Sequence, residues 1–116
     1  MAGTPKYLAP EVLTSKGATK AVDWWAVGVI LYEMIFGYAP FRSNSRKGIS
    51  QKIINSNPVF PQRSSSSLNY TDEVVDLISK LLIKDRSSRL GSHSDADEIL
   101  AHPWFNDLDL LALENL

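Results

Sequence analysis

The chain has 116 residues, 44% of them apolar and 22% charged, with a formal net charge of −1. This is the composition of one small globular domain with one core; it argues against wholesale disorder and gives no electrostatic case for a nucleic-acid partner. No cysteine is present, so disulfides, thiolate chemistry and cysteine-based zinc sites are excluded, in keeping with a reducing compartment.

In chain order, residues 3–11 read as a loop in which Pro5 and Pro10 block regular helix. Glu11 to Thr14 can make a short helical turn, and Ser15-Lys16-Gly17 is a turn. A long helix is predicted from Ala21 to Phe36, ending at Gly37, with Asp23 in its first turn where a negative charge suits the helix dipole. After the loop Gly37-Tyr38-Ala39-Pro40-Phe41, a modest helix is predicted over 46–55, with Ile49, Ile53 and Ile54 docking one side. Asn57 to Pro61 reads as extended, and the four serines Ser64 to Ser67 as a flexible insertion.

Thr71 is the N-cap of an amphipathic helix whose buried face carries Val74, Leu77, Ile78, Leu81 and Leu82, at i, i+3, i+4, i+7 and i+8. Lys84 to Gly91 is a charged loop. Asp95 to Ala101 is a short helix stopped before Pro103. Trp104-Phe105 supplies an apolar anchor, and an acidic-apolar helix is expected to close the chain. No repeat or linker divides it, so the fold class is all-α and the domain is 1–116.

The stretch from Trp24 to Phe41 is eighteen residues with Glu33 as its only acid and no base. A membrane span needs about 20 apolar residues. Glu33 in its middle and Pro40 near its end favour a central helix buried all round, in a chain with no membrane partner. The first residues are turn-like, not basic then apolar, so no signal peptide is visible. Charge is unevenly spread. From Arg42 to Arg63 there are five basic residues and no acid, and after Leu90 six acids and no Lys or Arg. Two solvated faces account for this; a basic docking surface around 42–52 is the sharper alternative.

Gly3-Thr4-Pro5-Lys6-Tyr7-Leu8-Ala9-Pro10-Glu11 resembles the end of a serine/threonine protein kinase activation segment. Asp23-Trp24-Trp25-Ala26-Val27-Gly28 resembles the start of kinase helix F. Gly37-Tyr38-Ala39-Pro40-Phe41 resembles the loop after it, and Asp85-Arg86-Ser87-Ser88-Arg89-Leu90-Gly91 the loop between helices H and I. His102-Pro103-Trp104-Phe105 resembles the close of the domain. The motifs stand in the family's order and span nearly the whole chain. The Trp-Trp pair and Arg-Leu-Gly point to the AGC group, and Lys20-Ala21-Val22-Asp23-Trp24-Trp25 to its cyclic-nucleotide-dependent members.

The resemblance implies part of a kinase large lobe: the activation-segment end over 1–14, helix F over 21–36, helices onward to I, and the start of a C-terminal tail over 106–116. It implies a buried ion pair between Glu11 and Arg89. It makes Asp23 the helix F acid that holds a catalytic loop, although in this chain local amides are its expected partners. Trp24 is a structural residue beside it. Thr4, Pro5, Tyr7, Leu8 and Glu33 are substrate-side residues, with Tyr7 and Glu33 receiving a substrate arginine. Lys6 stands where an acid is common in the nearest relatives, which counts against that preference.

Phosphoryl transfer needs positioned phosphates, magnesium and a base aimed at the hydroxyl. The sequence contains no Gly-rich loop, His-Arg-Asp loop or Asp-Phe-Gly. No catalytic, cofactor or metal residue is therefore assigned; ATP and Mg²⁺ are implied only for the intact family. His93, Asp95, Asp97 and His102 match no metal-ligand spacing, and a solvated loop is the better reading. Two functions follow. One is the substrate-side part of a cytoplasmic serine/threonine kinase, inactive by itself, meeting a protein substrate or a kinase regulatory subunit. The other is a non-catalytic interaction module derived from a kinase lobe.

Overall fold

A computed structural model describes residues 7–17, 19–61 and 70–107. Thr4, Pro5, Lys6, the serine run and residues 108–116 lie outside them. The described residues form α-helices and one 3-10 turn, without strands, an all-α arrangement. The helices are α1 (Pro10–Leu13), α2 (Ala21–Phe36), α3 (Arg46–Asn55), α4 (Asp72–Leu81) and α5 (Ala96–Leu100), followed by a 3-10 turn over Pro103–Asp107.

Pro10 opens α1 instead of blocking it, which corrects the loop assigned to residues 3–11. At the first helical position proline's fixed φ suits the helix and its missing N–H has no partner to lose. The Thr14 hydroxyl closes this single turn by donating to the Pro10 carbonyl at 3.0 Å.

Helix α2 has the expected bounds. Gly37 ends it at φ 85°, and its N–H donates to the Glu33 carbonyl at 2.8 Å. One face carries Trp25, Val29, Tyr32 and Phe36, all buried. The opposite stripe does not match the expectation of burial all round: Val27 is 38%, Ile30 47% and Met34 76% exposed. The apolar run therefore serves two surfaces, of which these residues cover one. No helix among the described residues is long and apolar enough to cross a membrane.

Helices α3 and α4 start on side-chain caps. The Ser45 hydroxyl accepts from Gly48 N–H at 3.0 Å and Thr71 from Val74 N–H at 3.2 Å, each satisfying an otherwise orphan donor. On α3, Ile53 is fully buried while Ile49 and Ile54 are half-buried. Helix α4 divides its apolar face between two cores. Val74, Ile78 and Leu82, just past its end, join Trp25, Val29, Tyr32, Phe36, Phe41 and Ile53. Leu77 and Leu81 join Ile99, with Trp104 and Phe105 packed against them.

Gly28 lets α2 and α4 close on each other: a Cβ there would lie 2.8 Å from Leu81 Cβ and 2.9 Å from Leu82 Cδ2. Helix α5 is one residue shorter at each end than expected. Asp95 takes φ 54°, outside the helical region, and precedes the helix.

Candidate functional site: the Glu11–Arg89 clasp and the substrate-side residues

Arg89 lies in the irregular segment after α4, yet its side chain is fully buried. Its guanidinium reaches Glu11 on α1 in a bidentate pair, Nη1 to Oε2 and Nη2 to Oε1, both 2.8 Å. Nη1 also donates to the Ala21 carbonyl at 2.9 Å, Nη2 to Lys84 O at 3.2 Å, and Nε to Ile83 O at 2.8 Å. All five donors of the fork are thus used. The guanidinium carbon sits 5.0 Å from the Trp25 ring centroid. One side chain therefore joins α1, the start of α2 and the loop after α4.

Burial by itself raises the Glu11 pKa. The Arg89 hydrogen bonds and charge outweigh it, and the carboxyl ends below its ordinary value. Lys84 feels the reverse: burial, then repulsion from Arg89, lowers it to about 8. Its ammonium donates to the Ile53 carbonyl at 2.5 Å and lies 4.8 Å from the Phe41 ring centroid. Arg86 donates to the carbonyls of Lys16 and Gly17 at 3.0 and 3.1 Å, tying the same loop to the turn after α1. Lys84 and Arg86 had no sequence signal, because their partners are backbone carbonyls that any residue could supply.

Asp23 and Trp24 diverge. Asp23 is exposed on the first turn of α2, and no amide among the described residues donates to its carboxylate. That departs from the expected local cap, which Glu98 in the first turn of α5 does make. Trp24 turns to the loop after α4. Its Nε1–H donates to Asp95 Oδ1 at 2.7 Å. Its ring covers Gly91, where φ is 96° and a Cβ would lie 2.4 Å from Trp24 Cδ1.

Among the substrate-side residues, Tyr7 is exposed, Leu8 is half-buried before α1, and Glu33 is half-buried near the C-terminal end of α2. Thr4 and Pro5 lie outside the described residues.

The remaining acids have local work. Asp76 takes Lys80 at 2.9 Å and His102 Nε2 at 2.7 Å, and both contacts lower its pKa. His102 Nδ1 accepts from Trp104 N–H at 3.0 Å, which assigns the ring proton to Nε2 and pins the closing turn to α4. Glu98 accepts from the amides of His93 and Ser94 at 2.7 and 2.9 Å. Among the described residues no group of three or more His, Asp or Glu could hold a metal ion. Asp76, Asp95 and Glu98 are taken up by Lys, His, Trp and backbone partners, so these three do not offer a magnesium site.

Residues 1–105 match the family model of the protein kinase domain. The human cAMP-dependent protein kinase catalytic subunit PRKX is 44% identical over 110 residues, covering 94% of this chain and 29% of the relative. The Drosophila melanogaster cAMP-dependent protein kinase catalytic subunit 3 is 43% identical over 111 residues, 94% of this chain and 18% of the relative. Phototropin-1A of Oryza sativa subsp. japonica is 43% identical over 107 residues, 92% of this chain and 11% of the relative. The chain thus spans less than a third of the length of each of these relatives. With an all-α structure and the kinase motifs in order, the chain belongs to the protein kinase domain family and is part of such a domain, similar to the AGC group.

Proposed function

We propose that these residues are the substrate-side helical platform of an intracellular serine/threonine protein kinase. The intact domain would move the γ-phosphate of ATP to a Ser or Thr of a protein substrate, with ATP and magnesium held by parts of the domain outside this stretch. The 116 residues by themselves would bind no nucleotide and transfer no phosphate.

The observation that carries this reading is the Glu11–Arg89 clasp. It anchors the end of the activation-segment motif, just after Tyr7 and Leu8, to the helical core. A substrate-binding edge must hold its shape while peptides come and go, and a buried bidentate pair is a rigid way to hold it. On that edge the Thr4 hydroxyl would contact the catalytic Asp and Lys of the intact domain, Pro5 and Leu8 would line the apolar pocket for the residue after the phosphoacceptor, and Tyr7 with Glu33 would receive a substrate arginine. A kinase regulatory subunit could meet the same edge.

The exposed stripe Val27, Ile30 and Met34 favours a second reading, a non-catalytic module that docks an apolar partner.

Peptide-library phosphorylation by the complete protein containing these residues tests the proposal. Arginine should be enriched before the phosphoacceptor, and Glu33→Gln should abolish that enrichment while leaving phosphorylation of arginine-free peptides in place. No phosphorylation, or enrichment indifferent to Glu33, would contradict it.

A further inference from the structure

A cleft of about 710 Å³ opens between the α2–α3 loop (residues 37–45), α3 and residues 56–61. Its lining includes Arg42 and Lys52 and no Asp or Glu. The guanidinium carbon of Arg42 lies over the Tyr38 ring, 4.0 Å from its centroid. Stacking uses the face of the fork and leaves its N–H edge available. Arg42 is exposed, and among the described residues that edge makes no hydrogen bond or ion pair. Lys52 lines the same cleft. Its ammonium donates to the Arg42 carbonyl at 2.6 Å, which fixes the two cations relative to each other and leaves the lysine two further donors. Beside them Val59 is 76% exposed and offers an apolar contact.

We infer that this cleft is a docking site for an acidic polypeptide segment of a partner protein, with the Arg42 fork taking a carboxylate and Val59 an adjacent apolar side chain. Charge complementarity selects the occupant. Five basic residues and no acid run from Arg42 to Arg63 in a chain whose net charge is −1, so the positive potential is local. A stacked arginine is held in place before binding, so less side-chain freedom is lost on capturing a carboxylate. Neither Tyr7, Leu8 nor Glu33 lines the cleft, and the inference does not depend on phosphoryl transfer.

Fluorescence anisotropy of the complete protein containing these residues with a labelled peptide of Asp and Glu interspersed with Leu tests it, against a counterpart with Lys in place of the acids. The acidic peptide should bind saturably, weaken as salt rises, and lose about ten-fold or more in affinity with Arg42→Glu. Lys52→Glu should weaken it too, and each variant should melt within a few degrees of the parent, because both side chains stand at the surface and each loses one surface contact. Arg42→Glu should also gain affinity for the lysine peptide. Equal binding of both peptides, or acidic-peptide binding unchanged by Arg42→Glu and Lys52→Glu together, would overturn the inference. So would self-association that excludes the peptide and disappears with Arg42→Glu, since the occupant would then be a second copy.

Discussion

Arg89 spends every donor it has inside the protein, so its loss leaves Glu11 charged, buried and unpaired. Removing one half of such a pair costs about 3–5 kcal/mol. Urea unfolding of Arg89→Ala should show a loss of that size. Arg89→Lys should recover little, because an ammonium cannot span both oxygens of Glu11 and three backbone carbonyls. Glu11→Leu combined with Arg89→Met should be much closer to the parent than Arg89→Ala, since an apolar pair buries no charge. An Arg89→Ala variant as stable as the parent would show that the clasp holds nothing.

The half-buried Lys84 and the buried Tyr32 give opposite slopes at alkaline pH. Unfolded, Lys84 keeps its proton to its ordinary 10.5, whereas the folded chain releases it near 8. Between those values the unfolded state binds more protons, so stability rises with pH. Tyr32 is the reverse. Burial, then Tyr38, raises it from 10.0 to about 12, so the folded state holds the extra proton and stability falls across that window. Stability measured from pH 8 to 12 should therefore rise and then fall. Lys84→Met should remove the rise and Tyr32→Phe the fall. A rise that survives Lys84→Met would refute the assignment.

At the scale of elements, α2 and α4 approach closely at Gly28. A methyl at Gly28 meets Leu81 Cβ and Leu82 Cδ2 inside van der Waals distance. Gly28→Ala should cost about 1–3 kcal/mol through overpacking, although alanine is the better helix former. Thr71→Ala should cost about 1 kcal/mol through the lost cap of α4. Chemical denaturation of both variants checks the ranking, and a stabilised Gly28→Ala would mean the two helices stand further apart.

These elements differ in how far the residues announce them. Helices α2 and α4 were legible because Gly37 and Thr71 mark ends by local chemistry and Val74 to Leu82 repeat at the helical period, and α3 through Ile49, Ile53 and Ile54, its Ser45 cap emerging only in the structure. Helix α1 was half legible: its residues were visible, but Pro10 can open a helix or break one, and tertiary contact decides which. The open face of α2 could not be read, since Met34 and Phe36 are equally apolar in sequence and differ only in what covers them. Glu11 and Arg89, 78 positions apart, were brought together only by resemblance to kinases, for no local pattern links them.

At the scale of the whole molecule, two apolar cores share α4, and polar ties bind the loops around them. Arg89 and Arg86 hold the segment after α4 to the first turns of the chain, Lys84 holds it to α3, and Asp76–His102 holds the closing turn. The described carboxylates serve these ties or face solvent rather than converging on a cation. On the proposed function these residues build a platform, and phosphate and magnesium are handled by the rest of the domain. Calorimetric titration of the purified 116-residue chain with ATP, with and without magnesium, tests that separation most directly. The account predicts no saturable magnesium-dependent heat. Tight one-to-one binding that requires magnesium would contradict it.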